Sequence, residues 1–197
     1  MKICLADKRD ARQIAKIHRK EINQGFLSQL GENFLSKLYE AMILSKNAFV
    51  VVAKENNQVI GFVSGCPNVK YFYKNFFKKY FFPSLIALLP KLFNVSIFKK
   101  ILETLKYPSK EKKQKLPEAE LLTIATLKEF HGQGTAQKLF ERFILEMKNR
   151  DVQEFKVVVE ENLPRAIAFY EKMGFEFHSS VSIHKNQASR VYVYKIK

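Results

Sequence analysis

The stretch that decides the fold is LLTIATLKEFHGQGTAQKLFERFI, residues 121–144. It begins as a hydrophobic, β-rich run, continues through Gly132, Gly134 and Ala136, and passes directly into a helical pattern. Small residues at such a turn let an anion approach the backbone, and the free N–H groups of the helix start supply donors and a positive potential. The stretch predicts a phosphate or pyrophosphate cradle, with a tight strand-to-helix connection as the plainer alternative.

The spacing of the small residues excludes two nucleotide-binding motifs. The dinucleotide pattern GxGxxG would need a small residue at Gln137, and the P-loop pattern GxxxxGK[ST] is absent. The spacing instead matches [Q/R]xxGx[G/A], with His131 in the first place, Gly134 in the fourth and Ala136 in the sixth.

A second stretch, EENLPRAIAFYEKMGFEF at residues 160–177, decides between the two interpretations. It begins where a strand ends, continues as a helix with Pro164 in its first turn, and stops at Gly174 before another strand. The loop HGQGTA after a strand and the later pattern N-x-x-x-A-x-x-F-Y-E-K-x-G-F together resemble the GNAT superfamily of acyl-CoA-dependent N-acetyltransferases.

Periodicity over the rest of the chain predicts the order β, α, α, β, β, insertion, β, α, β, α, β, β. Asp7 is expected to cap a first helix that runs to Glu21, and Glu55, Asn56 and Asn57 are typical of a hairpin turn. The strands are expected at residues 2–6, 48–54, 58–66, 118–127, 152–160, 175–180 and 190–196, and the later helices at residues 32–45, 134–150 and 164–173.

The resemblance implies an α/β (α+β) fold in a single domain, residues 1–197. The GNAT fold has a mixed central sheet of about seven strands, splayed between the fourth and fifth, and about four flanking helices. In this chain it would carry a helical insertion at about residues 68–117.

The resemblance also assigns a cosubstrate site for acetyl-CoA. The pantetheine arm would lie between the splayed strands and bind the backbone of Ile124, Ala125 and Thr126. Asn162 would hydrogen-bond the pantetheine and Tyr170 would reach the thioester sulfur; an N-cap role for Asn162 and a core role for Tyr170 are the alternatives. The pyrophosphate would rest on the backbone N–H groups of His131, Gly132, Gln133, Gly134, Thr135 and Ala136.

The expected reaction is direct attack by a neutral primary amine of a small molecule, such as an amino sugar, in a ternary complex. An amine with a pKa of about 10 is mostly protonated at neutral pH, so a base or a water chain must take its proton. Glu118 and Glu120, two apart on a strand, would point to one face and serve as base, unless they are a solvated strand start. Backbone N–H groups near Thr126 would stabilise the oxyanion, and Tyr170 would assist the leaving thiolate.

Metal and thiol catalysis are not expected. The four histidines show no metal-ligand spacing, and Cys4 and Cys66 have no local acid or base partner. We interpret the two cysteines as buried reduced thiols in a cytoplasmic protein, because they form no disulfide framework. The N-terminal residues lack the apolar region of a signal peptide.

The charge is concentrated in the insertion. The chain has 34 basic and 19 acidic residues, a net charge of +15, and residues 70–115 alone carry twelve lysines, two glutamates and eleven aromatic residues. Three interpretations stay open: a helical cover for the core, a patch for anionic membrane or a lipid-linked substrate, and a nucleic-acid surface. Nucleic acid is the least favoured, because the segment has no arginine. A non-catalytic protein that docks through this segment is the alternative function, and both a monomer and a homodimer are compatible with the sequence.

The histidine in the first motif position predicts a pH effect. The family usually has Arg or Gln there, and an unperturbed imidazole becomes charged only below a pH of about 6.5. The affinity for acetyl-CoA is therefore expected to rise as the pH falls. Titration calorimetry between about pH 5.5 and 8 checks this, and a constant affinity across that range would contradict it.

Overall fold

The computed structural model describes residues 1–23, 26–76, 116–184 and 187–197. Residues 69–76 are also helical, and a short 3-10 turn, Lys8–Asp10, precedes the first helix. The helices are α1 Ala11–Glu21, α2 Phe26–Gln29, α3 Glu32–Ile43, α4 Thr135–Lys148 and α5 Pro164–Lys172. The strands are β1 Lys2–Leu5, β2 Phe49–Glu55, β3 Gln58–Cys66, β4 Glu120–Thr126, β5 Glu154–Glu160, β6 Glu176–His184 and β7 Gln187–Lys195.

The strands form one seven-stranded sheet in the order β1-β2-β3-β4-β5-β7-β6. Neighbouring strands are antiparallel except for β4 and β5, which are parallel. The β4–β5 crossover passes through α4, as a parallel connection requires. The predicted fold class, a mixed sheet of about seven strands with flanking helices, is confirmed.

Helices cover both faces of the sheet. On one face α1 and α3 pack through residues such as Ile14, Leu35 and Met42 onto Val52 and Phe62. On the other face α4 and α5 enclose a second apolar cluster that includes Leu139, Phe143, Phe155, Val157 and Tyr170. Because an apolar layer covers each face of the sheet, nearly every residue of β2 and β3 is buried.

A glycine in β3 sets how closely α4 approaches the sheet. A Cβ atom at Gly65 would collide with the Phe143 ring and would lie 2.8 Å from the Glu120 carbonyl oxygen. Only a residue without a side chain therefore fits beneath this part of α4.

Several local predictions are confirmed. Asp7 caps the 3-10 turn before α1, with the Arg9 backbone N–H donating to Asp7 Oδ1 at 2.8 Å and the Asp7 N–H donating to Asp10 Oδ2 at 2.9 Å. Asn56 and Asn57 have φ of 47° and 64° and connect β2 to β3, as a two-residue hairpin turn requires.

Two boundaries were predicted wrongly. β4 begins at Glu120, so Glu118 lies before the strand. At the β6–β7 connection both strands run beyond the expected ranges 175–180 and 190–196, because His184 pairs with Gln187 and Ser189 pairs with both Glu160 of β5 and Val181 of β6. Pairing on both edges of β7 overrides the weak β-propensity of these polar residues.

The described beginning of the insertion belongs to the core. Phe72 and Phe76 are 3% and 4% exposed, and the Phe76 ring lies edge-on to Phe34 of α3. These two side chains pack into the core, and the three interpretations of the insertion as a whole stay predictions. The expected breaks at Pro83, Pro90 and Pro108 lie outside the described residues. Within the described ranges, no helix has both the length and the hydropathy of a membrane span.

A buried polar pair joins α1 to α3. His18 Nδ1 lies 2.5 Å from the Tyr39 hydroxyl, and the two residues are 2% and 1% exposed. Burial lowers the pKa of His18 to about 4 and raises the pKa of Tyr39. His18 is therefore neutral at neutral pH, and protonating it in the folded protein is unfavourable.

This burial predicts a loss of stability in acid. Between about pH 6.5 and 4 the unfolded chain binds a proton at His18 that the folded chain does not, so the free energy of unfolding falls as pH falls. We expect His18 to contribute about 2 kcal/mol of this fall between roughly pH 7.5 and 5. Urea unfolding of wild type and His18→Asn measures it, and the variant should show the smaller pH dependence. Equal dependence in both proteins would contradict the prediction.

Candidate active site

The site is built around an opening in the sheet between β4 and β5. The two strands are in register at a single residue pair, Glu120 with Lys156, near the start of both strands. β4 pairs with β3 along its whole length, and Leu122 forms a bulge because Ser64 pairs with Thr123 while Gly65 pairs with Leu121. The strands then separate, which confirms the predicted splay and leaves a cleft beside Ile124, Ala125 and Thr126.

A buried ion pair closes the narrow end of this cleft. Lys156 Nζ lies 3.5 Å from Glu120 Oε2, and the two side chains are 0% and 9% exposed. Lys156 Nζ also donates to the Pro117 carbonyl oxygen at 2.6 Å. The pair attaches the start of β4 to β5 at the point where their separation begins.

The turn between β4 and α4 presents free backbone donors at the open end. Gly132 and Gly134 have φ of 76° and 75°, and a Cβ atom at either position would meet nothing within 4 Å. Among the described residues, the N–H groups of residues 132–137 donate no backbone hydrogen bond outside the helices and strands. The first hydrogen bond of α4 is donated by the Lys138 N–H to the Gly134 carbonyl oxygen at 3.0 Å. Left-handed residues followed by a helix start form an anion-binding concavity. The N–H groups of residues 132–136 thus fit a pyrophosphate. The prediction was wrong for the His131 N–H, which donates to the Lys128 carbonyl oxygen at 3.1 Å.

The His131 side chain has a different partner from the expected one. Its Nε2 lies 3.0 Å from the Thr126 carbonyl oxygen, so Nε2–H donates to the last residue of β4. The imidazole therefore ties the end of the strand to the cradle. A direct contact with phosphate through this side chain stays a prediction.

Tyr170 and Asn162 occupy very different surroundings. Tyr170 is 6% exposed and packs against Phe169 and Phe175 at ring distances of 5.6 and 5.2 Å, and burial raises its pKa. Its hydroxyl forms no hydrogen bond with any of the described residues. Asn162 is exposed, and the residue at the N-cap of α5 is Leu163, so the N-cap alternative for Asn162 was wrong.

The two candidate bases are separated by the fold. Glu118 lies before β4 and is mostly exposed; it accepts a hydrogen bond of 2.6 Å from Asn68 Nδ2. Glu120 is buried opposite Cys66, on the face of the sheet that α1 and α3 cover. Its carboxylate helps burial to raise the pKa of Tyr73 and of the Cys66 thiol.

Cys4 and Cys66 are free, although Cys4 is half-buried rather than buried as expected. The raised pKa of the Cys66 thiol disfavours the nucleophilic thiolate. No group of three or more His, Cys, Asp or Glu side chains in the described ranges is arranged to hold a metal ion.

Lys156 is the site residue that the sequence prediction missed. Its position was visible as a charged residue inside the apolar run Phe155 to Val159. A lysine at such a position needs a buried partner, which pattern analysis can suggest but cannot identify.

The family profile described as "Acetyltransferase (GNAT) family" matches residues 18–175. The chain therefore belongs to the GNAT family of acetyltransferases, and the predicted resemblance is confirmed.

Three known proteins show the range of the likeness. N-alpha-acetyltransferase 30 of Schizosaccharomyces pombe is 42% identical over 52 residues, which are 26% of this chain and only 35% of that protein. The PaiA N-acetyltransferase of Thermoplasma acidophilum, solved with coenzyme A, has a TM-score of 0.62 at 12% identity, covering 99% of both chains. Aminoglycoside 6′-acetyltransferase type Ii has a TM-score of 0.64 at 12% identity, covering 100% of this chain and 98% of that one. The two structures support the fold.

The cradle geometry predicts a selective effect of one added methyl group. Gly134→Ala should strain a left-handed backbone, at a cost of about 1 kcal/mol, and also place a side chain on the open surface of the cradle. We expect affinity for acetyl-CoA to fall at least about tenfold. The matched control is Gly174→Ala, which imposes similar strain at φ 89° after α5. Calorimetry and thermal melting compare the two, and equal loss of affinity in both variants would contradict the prediction.

Proposed function

We propose that this protein transfers an acetyl group from acetyl-CoA to a primary amine of a small molecule. The observation that carries the proposal is the combination of the β4–β5 cleft with free backbone donors of residues 132–137 at its open end. Acetyl-CoA would supply an activated acetyl thioester. The residues present fit it, because the cradle needs no side chain and its outer surface is open.

The cosubstrate side of the cleft follows from the backbone. The edge of β4 from Ile124 to Thr126 faces the separation from β5, so the peptide groups that do not bond to β3 are placed to bind the pantetheine amides. The Thr126 carbonyl oxygen already accepts a hydrogen bond from His131 Nε2. Asn162, exposed after β5, would add a side-chain hydrogen bond to the same arm. Thr135 and Ala136 at the start of α4, together with Gly132 to Gly134, would hold the pyrophosphate.

We assign Glu120 as the base that removes a proton from the acceptor amine. The residue faces the α1 and α3 side of β4, opposite the cluster that contains Tyr170. Lys156 beside it supports the carboxylate form, which is the form that accepts a proton. Glu118 is less suited, because its carboxylate binds Asn68 at the start of the helical segment 69–76.

Tyr170 is assigned to the leaving group. Burial raises its pKa, so the hydroxyl keeps its proton at neutral pH and can donate a hydrogen bond to a developing thiolate. The absence of a hydrogen-bond partner among the described residues leaves this donor free for the cosubstrate sulfur.

The first test is calorimetric titration of acetyl-CoA into the full chain, with desulfo-CoA and ATP as controls. Binding in the micromolar range by acetyl-CoA but not by ATP is expected, followed by release of free thiol with an acetylated amine from a panel that includes amino sugars. Absence of binding at every pH tried would mean that the turn is only a connection and would refute the proposal.

Two substitutions test the assigned roles. Tyr170→Phe and Glu120→Gln should each lower kcat by about 10- to 1000-fold, because both groups act on proton transfers. Tyr170→Phe should leave the Kd for acetyl-CoA little changed, whereas Glu120→Gln should also lower the melting temperature, because it breaks the buried ion pair with Lys156. Thiol release and calorimetry measure the two quantities on the same samples. A large fall in kcat for Glu118→Gln together with normal turnover by Glu120→Gln would reverse the assignment of the base.

A further inference from the structure

An ion pair between distant parts of the chain joins α1 to the turn that precedes the cradle. Lys20 Nζ, in the last turn of α1, lies 3.1 Å from Glu129 Oε1 and 3.8 Å from Glu21 Oε1. The Lys128 backbone N–H donates to Glu21 Oε1 at 3.4 Å. The end of α1 is thus docked on the 3-10 turn Lys128–Phe130 by charge and hydrogen bonding together.

Glu129 is the residue through which this contact reaches the cradle. Its backbone carbonyl accepts a hydrogen bond from Gln133 Nε2 at 2.9 Å, and Gln133 lies between the two left-handed glycines. Hydrogen bonds from its own backbone amide and from Lys20 lower the pKa of the Glu129 carboxyl group. Glu129 therefore carries a charged carboxylate on the turn whose backbone is hydrogen-bonded to Gln133 of the cradle.

The position of this carboxylate calls for a countercharge. An uncompensated Glu129 would repel the phosphates that the free N–H groups attract. The Lys20 and Glu129 side chains are 57% and 62% exposed, and ion pairs so open to solvent contribute little to folding. The effect of the pair should consequently appear in ligand binding more than in stability.

We propose that Lys20 is a positioning residue of the cosubstrate site, which acts by neutralising the negative charge of Glu129 on the turn that supports the cradle. The inference rests on the proposed function, because it requires acetyl-CoA at the cradle. Lys20 acts through Glu129 and not by contact with the cosubstrate.

The test is a double-mutant cycle read by calorimetric titration of acetyl-CoA into the full chain. Lys20→Gln should weaken binding about threefold to tenfold, and Glu129→Gln should leave it unchanged or strengthen it. The double variant Lys20→Gln/Glu129→Gln should return to within about twofold of wild type, because no carboxylate is left to neutralise. The effect of Lys20→Gln should shrink in about 1 M salt, where exposed charges are screened.

Lys16→Gln is the matched control, since Lys16 is exposed on the same helix and forms no ion pair within the described residues. If Lys16→Gln and Lys20→Gln lose affinity equally, the loss comes from the lower net charge of the protein and the inference is overturned. A double variant as weak as Lys20→Gln would also overturn it, because Lys20 would then act directly on the cosubstrate. If the wild-type protein does not bind acetyl-CoA, the proposed function itself is refuted. If the wild-type protein binds acetyl-CoA and Lys20→Gln binds it with the same affinity, only this inference is refuted.

Discussion

The parallel pair of β4 and β5, joined at one residue pair and open beyond it, is the constraint on which the site depends. Glu120 and Lys156 meet at the closed end, where the Lys156 side chain is fully buried and the Glu120 side chain is 9% exposed. Breaking a buried ion pair by removing one partner costs about 3 to 5 kcal/mol, so the attachment is firm once formed. The cleft, the cradle and the two helical layers are all arranged around this opening.

The cosubstrate side of the site is mainly a property of the backbone. Strand edges, two left-handed glycines and a helix start supply its donors, and none of these needs a particular side chain. This explains how the chain can carry histidine at position 131: the imidazole ties the end of β4 to the cradle through the Thr126 carbonyl. Side chains have a supporting part, as Gln133 does for the turn at Glu129.

Several buried polar side chains lie on the face of the sheet that α1 and α3 cover. His18, Tyr39 and Glu120 are all nearly inaccessible on the side covered by α1 and α3. The start of the insertion adds Phe72 and Phe76 to this layer, so its aromatic residues serve packing where the structure describes them.

Local chemistry was sufficient to predict the order of the strands and of the helices other than α2, the Asn56–Asn57 turn and the cap at Asp7, since each depends on neighbours within a few positions. The splay of the sheet was available only through the family resemblance. Only tertiary pairing decided that residues 187–189 extend β7 and that Glu118 lies outside β4 while Glu120 is buried. It also decided which carboxylates contact Lys156 and Lys20. The Lys20–Glu129 contact spans 109 positions, and a sequence pattern carries no signal for an ion pair formed only when two distant elements meet.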